Sequence, residues 1–150
     1  MTEVCIVGAP EVELRYELLS RETARDALAT YDLTAPYGNT LALRTVSLGA
    51  AVALLNDLNW YLVRFASAAF VREPAIHPDE WFSRDLATAV RDERVDPAET
   101  GRHLALYGVL DGELTEPEYV VRTHETPSRD DRDELDETLV VRVTEAEFEA

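Results

Sequence analysis

Asn56, Asp57, Trp60 and Arg64 are the side chains whose types and spacing most invite chemistry. At 100° per residue they fall on one stripe of a helix, and the four-residue step from Trp60 to Arg64 lets a guanidinium stack on an indole face. Such a stripe offers an amide, a carboxylate and a cation to a ligand or to a partner protein. The same groups also suit a face that simply meets water.

The other reactive residue types are scattered. His77, His103 and His124 have no second histidine or cysteine at ligand spacing, so no metal site and no cofactor is expected. His77 with Asp79 and Glu80 has the look of a ligand triplet, but proline followed by acids is also what a helix start requires. Cys5 lies in an apolar run, which suits an inert buried thiol better than a nucleophile. Val7-Gly8-Ala9-Pro10 follows a first strand, yet the further glycines of a phosphate loop are missing. Paired acids such as Asp130/Asp131 and Glu145/Glu147 mean little in so acidic a chain, and no catalytic residue is assigned.

That acidity is itself informative. The 150 residues carry 30 acids against 14 basic residues, a formal charge of −16, and every one of those bases is arginine. At molar salt the Debye length falls to roughly 3 Å, so a dense carboxylate surface no longer repels itself and holds water and cations around the protein. The composition therefore points to a halophilic cytoplasm. In such a medium acidity by itself argues neither for nor against nucleic acid. In ordinary buffer so negative a chain would repel phosphates and no basic stripe relieves it, so nucleic acid is not the expected partner; binding there would need several of Arg84, Arg91, Arg94 and Arg102 to converge. A single cysteine rules out a disulfide framework within the chain. The first residues, Met1-Thr2-Glu3-Val4, do not resemble a signal peptide, so a cytoplasmic location is expected.

The elements that must position these groups read as one domain over residues 1–150. Val4 to Val7 is a buried strand closed by a turn. Residues 11–19 alternate like a half-buried strand, although Glu11/Arg15 and Glu17/Arg21 are spaced like helix ion pairs; the strand is the expectation. Ser20 is placed to cap a helix over 21–31, and Thr40 to Val46 returns to strand chemistry before Ser47, a second cap. From Leu48 to Arg72 the spacing predicts one long apolar helix, with Asn56, Asp57 and Arg64 arguing against a membrane span. Helices are expected to start at Pro78, burying Phe82, Leu86, Ala89 and Val90, and at Pro97, ending near Gly108. Asp111-Gly112 is a two-residue turn, 119–122 and 139–143 are strands, and Thr144 with Glu147 makes a capping box. The polar segment 126–137 between those strands reads as a mobile acidic loop.

The expected fold is thus α+β: a small, mostly antiparallel sheet of four to five strands packed on a long central apolar helix, with two to three shorter helices. The stretches Leu48-Gly49-Ala50-Ala51-Val52 and Asn59-Trp60-Tyr61, with the ending Val141-Arg142-Val143-Thr144-Glu145-Ala146-Glu147-Phe148, resemble an uncharacterised family of small haloarchaeal proteins over the full length. The resemblance implies the salty habitat and transfers no activity. With no reactive cluster in view, the reading is a noncatalytic module that binds a partner protein or a second copy of itself through the long helix or a hairpin edge. The alternative is a small-molecule sensor or small enzyme with its site at the stripe of Asn56, Asp57, Trp60 and Arg64.

Overall fold

A computed structural model describes residues 1–125 and 127–150 of the protein. Seven strands form one mixed sheet in the order β2-β1-β3-β4-β7-β5-β6, larger than the four to five strands expected. In chain order they are β1 (Thr2–Gly8), β2 (Thr40–Thr45), β3 (Ala66–Arg72), β4 (Trp81–Ser83), β5 (His103–Leu110), β6 (Glu113–Val121) and β7 (Glu137–Arg142). All neighbours are antiparallel except β4 and β7, which run parallel. Six helices, mostly short, accompany them: α1 (Leu14–Leu19), α2 (Glu22–Leu28), α3 (Leu48–Asp57), α4 (Asn59–Phe65), α5 (Arg84–Arg91) and α6 (Glu145–Glu149).

Among the described residues there is no long central helix, and the reasons are local and tertiary. The Ser47 side chain accepts from the Ala50 N–H at 3.0 Å and starts α3 as its type predicts. At Leu58 the backbone leaves the helix, with φ −90° and ψ 0°, inside Asn56-Asp57-Leu58-Asn59, where three of four residues compete with the helix for backbone hydrogen bonds. It resumes as α4, then turns extended at Ala66. Residues 66–72 become an interior strand because both faces find cover: Ala69 and Val71 pack under the helices, while Ala68 and Phe70 face the other way. A strand buried on both faces reads as a continuous apolar run, which periodicity cannot separate from a buried helix.

Three further expectations fail for similar reasons. Residues 14–19 are helical, not a strand, because Leu14 and Leu18 stack one turn apart in the core and Asn39 Oδ1 accepts from the Leu14 N–H at 2.9 Å. No helix starts at Pro78; His77 Nδ1 instead accepts from the N–H groups of Asp79 and Glu80, at 3.0 and 2.9 Å, and leads the chain into β4. The helix begins at Arg84 with Ser83 as its cap, so Phe82 is buried from a strand and Leu86, Ala87 and Val90 from α5. Asp96 caps only a 3₁₀ turn, Pro97–Glu99, before Gly101, at φ +102°, turns the chain into β5. Gly108 lies inside that strand at a bulge, where a Cβ would come within 2.8 Å of Leu135.

The later elements match their sequence signals more closely. Asp111 and Gly112 both take positive φ, 53° and 79°, the pattern of a type I′ turn joining β5 to β6. Thr144 and Glu147 form the reciprocal capping box of α6. Between β6 and β7, Arg129 donates to the carbonyls of Leu106 and Glu116 at 3.1 and 2.7 Å and pairs with Asp131. Thr126, the first residue of the segment read as a loop, lies outside the described residues.

The two faces of the sheet are covered unequally. Helices α1 to α5 and their flanking loops lie over one face in an aliphatic core that includes Val4, Ile6, Leu41, Val71 and Phe82 from the strands. The other face carries a smaller cluster of Cys5, Phe70, Trp81, Ala105, Val141 and Val143, capped at one corner by Phe148 of α6. Across it the loop before β2 meets the β5–β6 turn, Gly38 N–H donating to Gly112 O at 2.8 Å. That contact curls the face into a cup. Among the described residues no helix is long and apolar enough to cross a membrane.

Candidate functional site

The stripe predicted from sequence lies on the outer side of the helical layer. Asn56, Asp57, Trp60 and Arg64 are all exposed, and the break at Leu58 divides the first two from the last two. Trp60 and Arg64 do come together: the guanidinium carbon stands 3.7 Å from the indole centroid, and Arg64 Nη1 donates to the Trp60 carbonyl at 2.7 Å. Asn56 turns instead to α5, accepting from Arg84 Nη2 at 3.2 Å. Asp57 has no hydrogen-bond or ion-pair partner among the described residues. The concavities of the molecule lie elsewhere.

Three of them lie on or beside the cupped face. Strand register brings Cys5, Phe70 and Ser83 into one row, and Trp81, Val141, Ala105 and Tyr119 into the next. The Phe70 ring sits 4.8 Å from Tyr107 and 6.4 Å from Trp81, an aromatic cluster at ordinary tilted and edge geometries. The small residues Ala68 and Ala105 alternate with these rings and leave space. That space is a cavity of about 260 Å³ walled by Phe70, Tyr107, Tyr119 and the alanines, with Leu62 and Val63 of α4 on one side and Glu147 of α6 on the other.

Its polar groups are few and placed by structure. Ser83 Oγ, on a residue 6% exposed, donates to Glu147 Oε1 at 2.6 Å, and the same oxygen accepts from the Thr144 N–H at 3.0 Å. The second carboxylate oxygen of Glu147 and the Tyr107 hydroxyl have no hydrogen-bond partner among the described residues. Burial pushes the Tyr107 phenol above its ordinary range, and the neighbouring Tyr119 and Glu147 add to that direction, so it is a neutral donor at any physiological pH. Burial likewise pushes the Cys5 thiol up to about 12, against a weaker pull from Arg72, which leaves it protonated and unreactive.

Two wider concavities flank this cavity. One, of about 730 Å³, lies between the 30–37 loop and the face of β1 and β2, where Arg72 stacks on Trp81 at 4.5 Å and bonds Glu3 at 2.7 Å. Its wall includes Trp81 and Arg72, whose Nε1 and Nε atoms are buried without a partner among the described residues. The other, of about 500 Å³, opens beside the β5–β6 hairpin. Below the sheet's opposite end, Glu80 is 7% exposed and takes Arg122 at 2.6 Å and Arg142 at 2.8 Å, with His77 at 3.7 Å. Burial raises the Glu80 carboxyl, but the bonds and charges of Arg142 and Arg122 outweigh it and hold the group below its ordinary range. Arg122 also donates to Gly101 O and Arg142 to Thr100, so this cluster ties strand ends together.

Sequence reasoning missed Tyr107, Tyr119, Ser83 and Glu147 as a group. The usable signal was the alternation in His103 to Tyr107, masked by the helix-start signal at Asp96-Pro97. Among the described residues no group of three or more histidine, cysteine, aspartate or glutamate side chains is placed to hold a metal ion. No curated protein and no solved structure matches the chain. The model of a family of unknown function, DUF5804, matches residues 2–109, from β1 into β5, and the chain belongs to that family.

Proposed function

We propose that this protein is a binding module for a small molecule, with its seat in the cavity between Phe70, Tyr107, Tyr119 and Glu147. The observation that carries this reading is the pairing of a walled aromatic space with polar atoms that the fold leaves unspent, the Tyr107 hydroxyl and one oxygen of Glu147. The thiol nearest the cluster is held protonated, and Ser83 is committed to Glu147, which favours binding over nucleophilic chemistry. A partner surface on a long helix loses its basis, because that helix is two short ones and a strand.

Nuclear magnetic resonance with a fragment library at molar potassium chloride tests the reading. Hits are expected to shift the amides of Ala68, Ala105 and Tyr119, and the shifts should vanish in Ala68→Leu, which fills the space. Hits that ignore this substitution, or that cluster elsewhere, would sink it.

Self-association through the free edge of β6 is a second reading, favoured by the exposed Leu110, Tyr119 and Val121 on or beside that hairpin strand. Pro117 and the acids Glu113, Glu116 and Glu118 oppose it. Light scattering at molar salt separates the two: a dimer dispersed by Val121→Lys supports edge pairing. The −16 charge and the absence of lysine support a salt-rich cytoplasm as the working medium. The unfolding midpoint is accordingly expected to climb as potassium chloride rises from tens of millimolar to molar.

A further inference from the structure

Resting on the cavity reading above, we infer that the ligand of this site is a small alkylated ammonium ion, seated against the Phe70, Tyr107 and Tyr119 rings with Glu147 as its counter-charge. The aromatic faces present negative potential to a cation, and three such rings line one space of about 260 Å³. The charged side chains on the same wall are Glu147, Asp85 and Arg84, a balance of one net negative charge. Arg84 is partly spent, since its Nη2 donates to Asn56 and Asp85 lies beside it in sequence.

The nature of the wall decides which cation. Leu62, Ala68, Ala105 and Val141 supply apolar carbon around the rings and cannot replace the water shell of sodium or potassium. An ammonium ion bearing methyl groups is weakly hydrated and brings apolar surface of its own, so the alanines and the rings solvate it without competing oxygens. Glu147 is rigid enough to serve. Ser83 and the Thr144 N–H both hold its Oε1, and the capping box fixes its backbone, so its other oxygen is positioned without being used. Tyr107, neutral and unbonded among the described residues, supplies a hydroxyl to any oxygen the ligand carries.

Three probes of nearly equal size and shape separate charge from fit: choline, its neutral isostere 3,3-dimethylbutan-1-ol, and the anion pivalate. Each is titrated into the full chain in molar sodium chloride, following the amides of Ala105, Tyr119 and Glu147. Choline is expected to saturate, the alcohol to bind at least tenfold more weakly, and pivalate not at all. Glu147→Gln, which keeps the cap and the Ser83 bond, should bring choline down to the affinity of the alcohol. Tyr119→Ala, at a residue 49% exposed and tolerant of change, should weaken choline with the fold intact. Equal binding of choline and alcohol, or indifference to Glu147→Gln, overturns the cation while leaving the cavity reading in place. Silence from all three probes also overturns it, and the fragment shifts at the same amides then show whether the cavity reading has failed as well.

Discussion

The two faces of the sheet are built from the same strands and differ only in residue parity. On the helix-covered side the strand residues are Val4, Ile6, Leu41, Leu43, Val71 and Phe82, nearly all aliphatic, meeting Leu14, Leu18, Leu55, Leu58 and Leu62. On the cupped side their neighbours in sequence are Cys5, Ala42, Phe70 and Trp81, where small residues alternate with large rings. Leucines and valines fill space uniformly and specify a core, whereas rings set beside alanines leave gaps with polar tips around them. One parity of the strands holds the fold; the other holds open the space proposed as a ligand site.

Substitutions should break this contrast in a definite order. Leu55→Ala, at a fully buried position on the covered side, is expected to cost about 3 kcal/mol in guanidinium unfolding at molar salt, because the tight aliphatic packing collapses only partly around the gap. Glu80→Gln is expected to cost less, about 2 kcal/mol, since Arg142 and Arg122 keep some contact with water. The sign of its pH dependence follows from the held-down carboxyl. Its contribution is present above the ordinary carboxylate range and is lost as pH falls through that range towards the folded value. Acid titration from pH 6 to 3 should therefore destabilise the wild type more steeply than Glu80→Gln. Gly112→Ala, where a Cβ meets nothing within 4 Å but φ is +79°, should cost about 1 kcal/mol by backbone strain alone. Tyr119→Ala should move stability by less than about 0.5 kcal/mol while weakening ligand binding, which would place function and folding on opposite faces.

Several signals that act within a few residues were legible in the sequence, although Pro78 starts no helix and Ser20, read as a helix cap, ends α1 while α2 begins after Arg21. Ser47, Asp111-Gly112 and Thr144/Glu147 each do in the structure what their side chains predict, since a cap or a turn is settled by adjacent atoms. Signals that depend on distant partners were not. The alternation of 11–19 yields to Asn39, which satisfies the start of α1 from 25 positions away, and the apolar run through Arg72 divides because β1 stands ready to pair with its second half. Outside the cavity, the stacking of Arg64 on Trp60 was visible because it spans one helical turn. The cavity was not, because it draws on α4, β3, β4, α5, β5, β6, β7 and α6, whose adjacency only the tertiary arrangement creates.

Strand β4 has a consequence for how the protein comes apart. It is three residues long, and only two residue pairs join it to β3 and two to β7. The antiparallel trio β2-β1-β3 and the trio β7-β5-β6 are each far more extensively zipped within themselves. Trp81-Phe82-Ser83 is thus a narrow seam between two cooperative units, and sub-global opening should begin there. In native-state hydrogen exchange the amides of β1 and β5 would report global unfolding, while those of β4 would exchange through a cheaper, earlier separation of the two halves.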